Sequence, residues 1–396
     1  MSFETTILGL IVLPLAAGTV VFLSSRLALL LTLAVALLEP FFALQLAGTV
    51  STDGPLRYEI GGWGAPLGID LYADGLSALM LLMTAVVGSA VSVYATAYFG
   101  SDNSRENHAD EPHLFWPLSL FLWAALNALF LSSDIFNLYV TLELLTLAAV
   151  ALIGLAGTIE ALAAALRYLL IAVVASLFYL LGVALLYSAY GTVDWYLLGS
   201  QFRSDLPSLC AIVLITVGLL LKTALFPLHF WLPAAHANAP APASALLSAL
   251  VLKASFFILL RLWFSVFPHT DLRLAGHLLA VLGAAAIVWG SLQAILQTRL
   301  KLMVAYSTVA QIGYLFLVFS LAATPAASWD AWSATAYFAL SHACAKAAVF
   351  MAAGSLQYAT GSGDIDALTG TAQQQPVCVF AFAVAGVVLM GLPPSG

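Results

Sequence analysis

The chain has 396 residues, 63% of them hydrophobic and only 8% charged, with a net charge of −7. So much apolar surface cannot be hidden in one soluble core, which makes lipid the solvent for most of the chain. The negative charge is spread over loops and leaves no nucleic-acid footprint, so no nucleic-acid partner is expected.

Runs of about 18 to 25 residues with few charges are each long enough to span a bilayer. About twelve occur, at roughly 5–24, 27–49, 70–98, 114–131, 135–156, 161–190, 209–226, 242–266, 275–297, 302–321, 331–358 and 376–392. The predicted class is therefore an all-α polytopic membrane protein with little chain left for a soluble domain. The N-terminus, Met-Ser-Phe-Glu-Thr-Thr, lacks the positive region of a cleaved signal, so the first helix reads as a retained span. Helices one and two read as plain hydrophobic hairpin material. The stretch "GTVSTDGPLRYEIGGWGAPLGIDLYADGLS", rich in Gly and Pro, predicts an extended excursion outside the membrane. A polar loop, "GSDNSRENHADEPH", then separates helices three and four. Later loops are very short, as in a bundle of antiparallel neighbours.

Two hydrophobic segments are interrupted. Pro227 and Pro233 break helix seven, and "HANAPAPAS" delays helix eight; Pro393 and Pro394 arrive before a twelfth span is complete. Paired interruptions in corresponding positions are the pattern of inverted-repeat transporters, whose broken helices line the substrate site. Pro227 is expected to open the helix and free backbone carbonyls for water. Cys210, Cys344 and Cys378 are widely spaced in or beside predicted helices and suggest no disulfide, metal or iron–sulfur set. Arg57, Arg203, Arg261 and Arg273 on one side balance Arg26, Arg105, Arg299 and Lys301 on the other, so charge bias does not fix orientation. The tight Arg299/Lys301 pair leans toward a cytoplasmic position for its side.

An ionisable side chain within a span is costly and marks a pathway by default. Glu143 lies mid-helix in "IFNLYVTLELLTLAAVALI", Lys222 in "GLLLKTALF" and Lys253 in "LLSALVLKASFFILL". His342 and Lys346, in "YFALSHACAKAAVF", are four residues apart and share a helical face. Desolvation disfavours an isolated buried lysine cation, whereas a nearby carboxylate restores it. A Glu143–Lys222 pair would hold a proton, and separating the pair would release it. The alternative for Glu143, Lys222 and Lys253 is a salt bridge that only fixes packing. Arg167 cannot deprotonate and supplies either a fixed field or a structural ion pair. Arg261 and Arg273, near helix ends, read as snorkelling to headgroups. His229 and His236 flank the break and either join the relay or satisfy its exposed carbonyls. Tyr306, Ser307, Gln311 and Tyr314 read equally as water-wire lining or as interhelical hydrogen-bond glue. Asp134 and Asn137 read as a helix cap, with binding at the cavity mouth as the alternative for Asp134.

"DIFNLYVTLELLTLAAVALIGL", "LLLKTALFPLHFWLPAAHANAPAPASALLSALVLKASFFILLR", "RLKLMVAYSTVAQIGYLFL" and "SHACAKAAVFMAAGS" resemble the antiporter-like family: membrane subunits of respiratory complex I, membrane-bound hydrogenase subunits and large Mrp-type Na+/H+ antiporter subunits. "GGWGAPLGIDLYADGLSALMLLMTAVVG" is most similar to the Mrp D-type branch. The resemblance implies inverted repeats over helices 4–8 and 9–13, the second incomplete, with a broken helix seven and helix twelve. The corresponding regions are 1–113 (N-terminal helices and loops), 114–266 (first repeat, a proton half-channel) and 267–396 (incomplete second repeat). It also places the family's glutamate, two lysines and histidine on Glu143, Lys222, Lys253 and His342, with Lys346 one turn on. Family members usually continue past "GLPPSG", so a truncated or split subunit is expected, with a companion membrane chain supplying the remaining helices.

The expected function is a proton-translocating subunit of a multi-subunit complex in a bacterial inner membrane, with protons, and in the Mrp-type alternative Na+, as cargo. Coupling to inorganic-carbon uptake, and a scaffold without transport of its own, are the other readings. No quinone, haem, iron–sulfur or nucleotide motif occurs, so no cofactor is expected and any NADH:quinone or hydrogenase chemistry lies on partners.

Overall fold

The computed structural model describes residues 3–100, 112–267, 272–322 and 328–392. Arg105, His269 and the second break at Pro393 and Pro394 lie outside the described residues. Helices dominate because, in hydrocarbon, a helix satisfies its own backbone N–H and C=O groups. In chain order they are α1 (Phe3–Leu23), α2 (Ala28–Asp53), α3 (Gly75–Gly100), α4 (Pro112–Leu131), α5 (Ile135–Gly154) and α6 (Ile159–Tyr190). Then come α7 (Leu206–Thr223), α8 (Ala241–Val266), α9 (Arg273–Ile295), α10 (Leu300–Leu321), α11 (Ser328–Thr360) and α12 (Pro376–Leu389). Among the described residues eleven are long and apolar enough to cross a membrane, and α12 is a shorter apolar helix of 14 residues.

The expected extramembrane excursion is an antiparallel ribbon, β1 (Leu56–Glu59) paired with β2 (Asp70–Ala73), with Arg57 opposite Tyr72. This corrects the start of helix three from residue 70 to Gly75. Asp70 to Ala73 is drawn into the ribbon, and the Asp74 carboxylate accepts the Ser77 N–H at 3.0 Å as the helix begins. The ribbon does not float. Ser133, in the α4–α5 turn, donates to the Asp70 carbonyl through both N–H and hydroxyl, and Arg57 bridges Asp70 at 3.0 Å and Asp194 at 3.3 Å. Asp134 caps α5 as expected, accepting the Asn137 N–H at 2.7 Å.

Lipid is as apolar as leucine, so helix association in a membrane depends on close packing rather than on burial from water. Small residues supply it. A Cβ on Gly313 of α10 would lie 2.3 Å from the Gly283 carbonyl oxygen of α9, and one on Gly218 of α7 would lie 2.5 Å from the Ala175 carbonyl oxygen of α6. At the centre, α8 is buried along its whole hydrophobic length. Its helical winding widens to π over Leu247–Val251 and again over Leu262–Val266. Such π segments inside α-helices frequently accompany functional sites.

The break in α7 falls where the prolines predict. The helix ends at Thr223, Ala224 adopts a left-handed φ of 56°, and Pro227 follows Phe226 through a cis peptide bond. A short helix, Leu232–Asn238, carries the chain to α8. Two carbonyls of the last turn before the break are bonded within the chain, and they lie ahead of the Thr223 carbonyl that the missing Pro227 N–H leaves free. Leu221 accepts from the Trp231 indole N–H at 3.0 Å, and Leu220 accepts from the Leu225 N–H at 3.2 Å. The indole that caps Leu221 is itself stacked on Tyr168, with ring centroids 4.2 Å apart.

Candidate functional site

Three helices build the centre of the site. Glu143 projects from the middle of α5 and Lys222 from the last turn of α7, immediately before the break. The Lys222 Nζ donates to the Glu143 Oε1 at 2.8 Å and to the Thr146 hydroxyl at 3.0 Å. Ser176 of α6 donates to the same Glu143 oxygen. Lys222 is only 6% exposed. Because Thr146 lies one turn after Glu143 on α5, one helix face presents both acceptors to the ammonium.

A row of buried polar groups continues from this pair. Thr223, next to Lys222, shares a hydrogen bond of 3.0 Å with Ser255 of α8. On the same helix Lys253 is 0% exposed and donates to the Ala249 carbonyl at 2.6 Å and the Ser248 carbonyl at 3.4 Å, both in the first π segment. The Ser248 hydroxyl meets that of Thr308 on α10 at 2.9 Å. Beside Thr308, Ser307 accepts from Lys346 of α11, whose Nζ also reaches the Val304 carbonyl at 3.1 Å. His342 lies one turn before Lys346, 1% exposed, stacked on Phe338, with neither ring nitrogen hydrogen-bonded. Glu143, Lys222, Lys253, Lys346 and His342 thus belong to a discontinuous polar seam over α5, α7, α8, α10 and α11, in which no hydrogen bond joins the Thr223–Ser255 pair to Lys253 and none reaches the His342 ring among the described residues.

The supporting residues separate. His236 is buried against the edge of Phe350 on α11, and neither of its ring nitrogens is bonded. His229 stacks on Phe226 with its Nδ1 unbonded. His236 therefore caps none of the carbonyls at the break. Gln311 is glue, donating to the Leu389 carbonyl of α12 at 2.7 Å, whereas Ser307 faces the seam. Tyr306, Pro227, His229 and Arg167 line an open cavity of about 540 Å³ beside the break. Arg167 is exposed and forms no salt bridge among the described residues.

Three ionisable groups carry weight that sequence reasoning missed or misread. Arg261 does not snorkel: it is buried, donates to Asp74 through both terminal nitrogens and to the Ser77 hydroxyl at 3.0 Å, and lies among the rings of Tyr72, Trp195 and Phe257. Burial pushes the Asp74 carboxyl up, but hydrogen bonding to Arg261 and its charge outweigh burial and hold Asp74 below the ordinary carboxylate value. Lys301, grouped with Arg299 in a short loop, donates to the carbonyl of Ala239, the residue after the short helix Leu232–Asn238. Glu39 overturns the reading of α2 as plain: it is 0% exposed, its Oε2 accepts from Asn127 of α4 at 2.8 Å, and its Oε1 has no partner. Its signal was present in the sequence as a carboxylate mid-span, followed at once by Pro40.

Residues 132–396 match the family described as "NADH:quinone oxidoreductase/Mrp antiporter, TM", and residues 63–107 match "NADH-Ubiquinone oxidoreductase (complex I), chain 5 N-terminus". The NADH-quinone oxidoreductase subunit N of Desulforudis audaxviator is 37% identical over 357 residues, which are 89% of this chain and 69% of that protein. The D-type Na(+)/H(+) antiporter subunit of Bacillus subtilis is 32% identical over 354 residues, 88% of this chain and 69% of that one. Among solved structures, a chain of the Mrp complex from Dietzia sp. superposes with a TM-score of 0.89 at 26% identity, covering 100% of this chain and 72% of that chain. A chain of the archaeal membrane-bound sulfane sulfur reductase gives a TM-score of 0.87 at 28% identity, covering 98% of this chain and 78% of that chain.

Proposed function

The chain belongs to the NADH:quinone oxidoreductase/Mrp antiporter transmembrane family, and we propose that it carries protons as one subunit of a multi-subunit membrane complex. The protons move along the seam from the Glu143–Lys222 pair through Lys253 toward Lys346 and His342. The observation that supports this most strongly is the 2.8 Å ion pair placed at the end of a helix that then breaks. A carboxylate beside Lys222 favours the charged lysine, and moving the carboxylate away withdraws that support. Each pKa unit of such a change is worth about 1.4 kcal/mol, so small displacements of α5 against α7 are enough to bind or release a proton.

Beyond the pair, Lys253 is held by two backbone carbonyls and Lys346 by one carbonyl and the Ser307 hydroxyl, with no carboxylate bonded to either among the described residues. Keeping an ammonium in such surroundings is costly, so a proton arriving there is readily handed on. Serine and threonine hydroxyls both donate and accept, which suits Ser248, Thr308 and Ser307 to the gaps between the amines. Other membrane subunits are the partners on this reading, since the similar structures are chains of multi-subunit complexes. The test is proton flux into vesicles containing the assembled complex, read with a pH-sensitive dye. Glu143→Gln and Lys222→Ala are each expected to lower flux at least tenfold while the complex stays assembled; wild-type flux in both variants would contradict the proposal.

A further inference from the structure

The open cavity of about 540 Å³ beside the break has a charge pattern that the proton seam does not use. Arg167, in the third turn of α6, and Arg299, at the start of α10, both line it, and no acidic side chain does. Both arginines are exposed, and neither takes part in an ion pair among the described residues. The Gln293 amide and the Tyr306 hydroxyl, each able to donate, also belong to the lining, so the cavity wall carries two cations and two neutral donors and no carboxylate. In a chain of net charge −7 this local excess of unpaired cations is a departure from the average surface.

We propose that this cavity seats the phosphate of an anionic membrane phospholipid, gripped by Arg167 and Arg299. Guanidinium forks match phosphate oxygens two at a time, and basic pockets between transmembrane helices are suited to phospholipid headgroups. Two features favour a lipid over a free oxyanion. The volume falls in the range of organic ligands rather than of a bare ion. The helix faces beside the arginines are also apolar and open: Leu166 and Leu170 on α6, and Leu292 and Ile295 on α9, are all more than half exposed and offer a track for acyl chains. Trp289 at the cavity wall adds an amphipathic ring of the kind that sits at headgroup level. The phospholipid site is independent of proton transport and is tested by binding alone.

The experiment is a thermal-midpoint titration of the detergent-purified assembled complex with phosphatidylglycerol, phosphatidylcholine or sodium phosphate at matched ionic strength. Phosphatidylglycerol is expected to raise the midpoint saturably, and the other two to leave it unchanged. Arg167→Gln with Arg299→Gln should require at least tenfold more phosphatidylglycerol for the same shift. Should that double variant fail to assemble, each single variant is expected to weaken the response several-fold. An equal response to phosphatidylcholine, or an unchanged phosphatidylglycerol curve in the arginine variants, would overturn the proposal. A saturable response to sodium phosphate alone would replace the lipid with a free oxyanion and overturn the lipid assignment. Loss of a companion subunit from the variants with their lipid response intact would assign the arginines to a protein interface instead.

Discussion

An ammonium at Lys222, taken alone in the last turn of α7, carries a desolvation penalty of several kcal/mol; beside Glu143 at 2.8 Å, with Thr146 and Ser176 completing the hydrogen bonds, much of it is offset. Opposite charges are rare in spans, so both members of this pair were legible in the sequence. Glu39 was equally visible as a letter, but its partner is the neutral amide of Asn127, 88 positions away, and no charge pattern points to it. With one carboxyl oxygen bonded to an amide, the other unbonded and no ion pair to it among the described residues, the group fits its site as a neutral acid. Glu39→Gln is therefore expected to keep the thermal midpoint of the purified complex close to wild type. Glu39→Ala removes the acceptor of a buried donor and is expected to cost about 1–3 kcal/mol, seen as a lower midpoint. A large drop with Gln would show that the ionised form is the one the fold requires.

At the scale of elements, hydrophobic length located the helices, and two prolines located the break in α7. What periodicity could not show was the ribbon of Leu56–Glu59 with Asp70–Ala73, because pairing between strands is non-local while each strand by itself reads as loop or helix entry. The same long-range blindness hid Asp74 with Arg261, 187 positions apart, which locks the entry of α3 to the end of α8. Nor did the sequence reveal the cap on the Leu221 carbonyl, since the Trp231 indole reaches back to it only once the segment has turned. Asp74→Asn would leave a buried guanidinium without its counter-ion, and a loss of about 3–5 kcal/mol is expected. The sign with pH follows from a carboxyl held below its ordinary value: its contribution is fully present above about pH 4, the unfolded value, and is lost as pH falls through the folded one. A midpoint-versus-pH series should show a steeper acid decline for wild type than for Asp74→Asn; parallel curves would contradict the ion-pair account.

Across the whole molecule, the polar seam runs through helices that are otherwise apolar, and α8, buried along its hydrophobic length, holds its middle lysine. The peripheral helices α1 and α2 contribute none of the seam's residues, whereas the close-packed pairs α6 with α7 and α9 with α10 hold its flanks. The central claim is that Lys222 works by giving up its proton, rather than by holding α5 and α7 together. Lys222→Arg separates these roles, because arginine keeps the positive charge toward Glu143 but does not deprotonate in a protein. The direct measurement is proton flux in vesicles carrying the assembled Lys222→Arg complex, alongside its subunit composition. The account predicts an intact complex with flux lowered at least tenfold. Flux at the wild-type rate in that variant would show that the lysine's charge, and not its proton, is what the site needs.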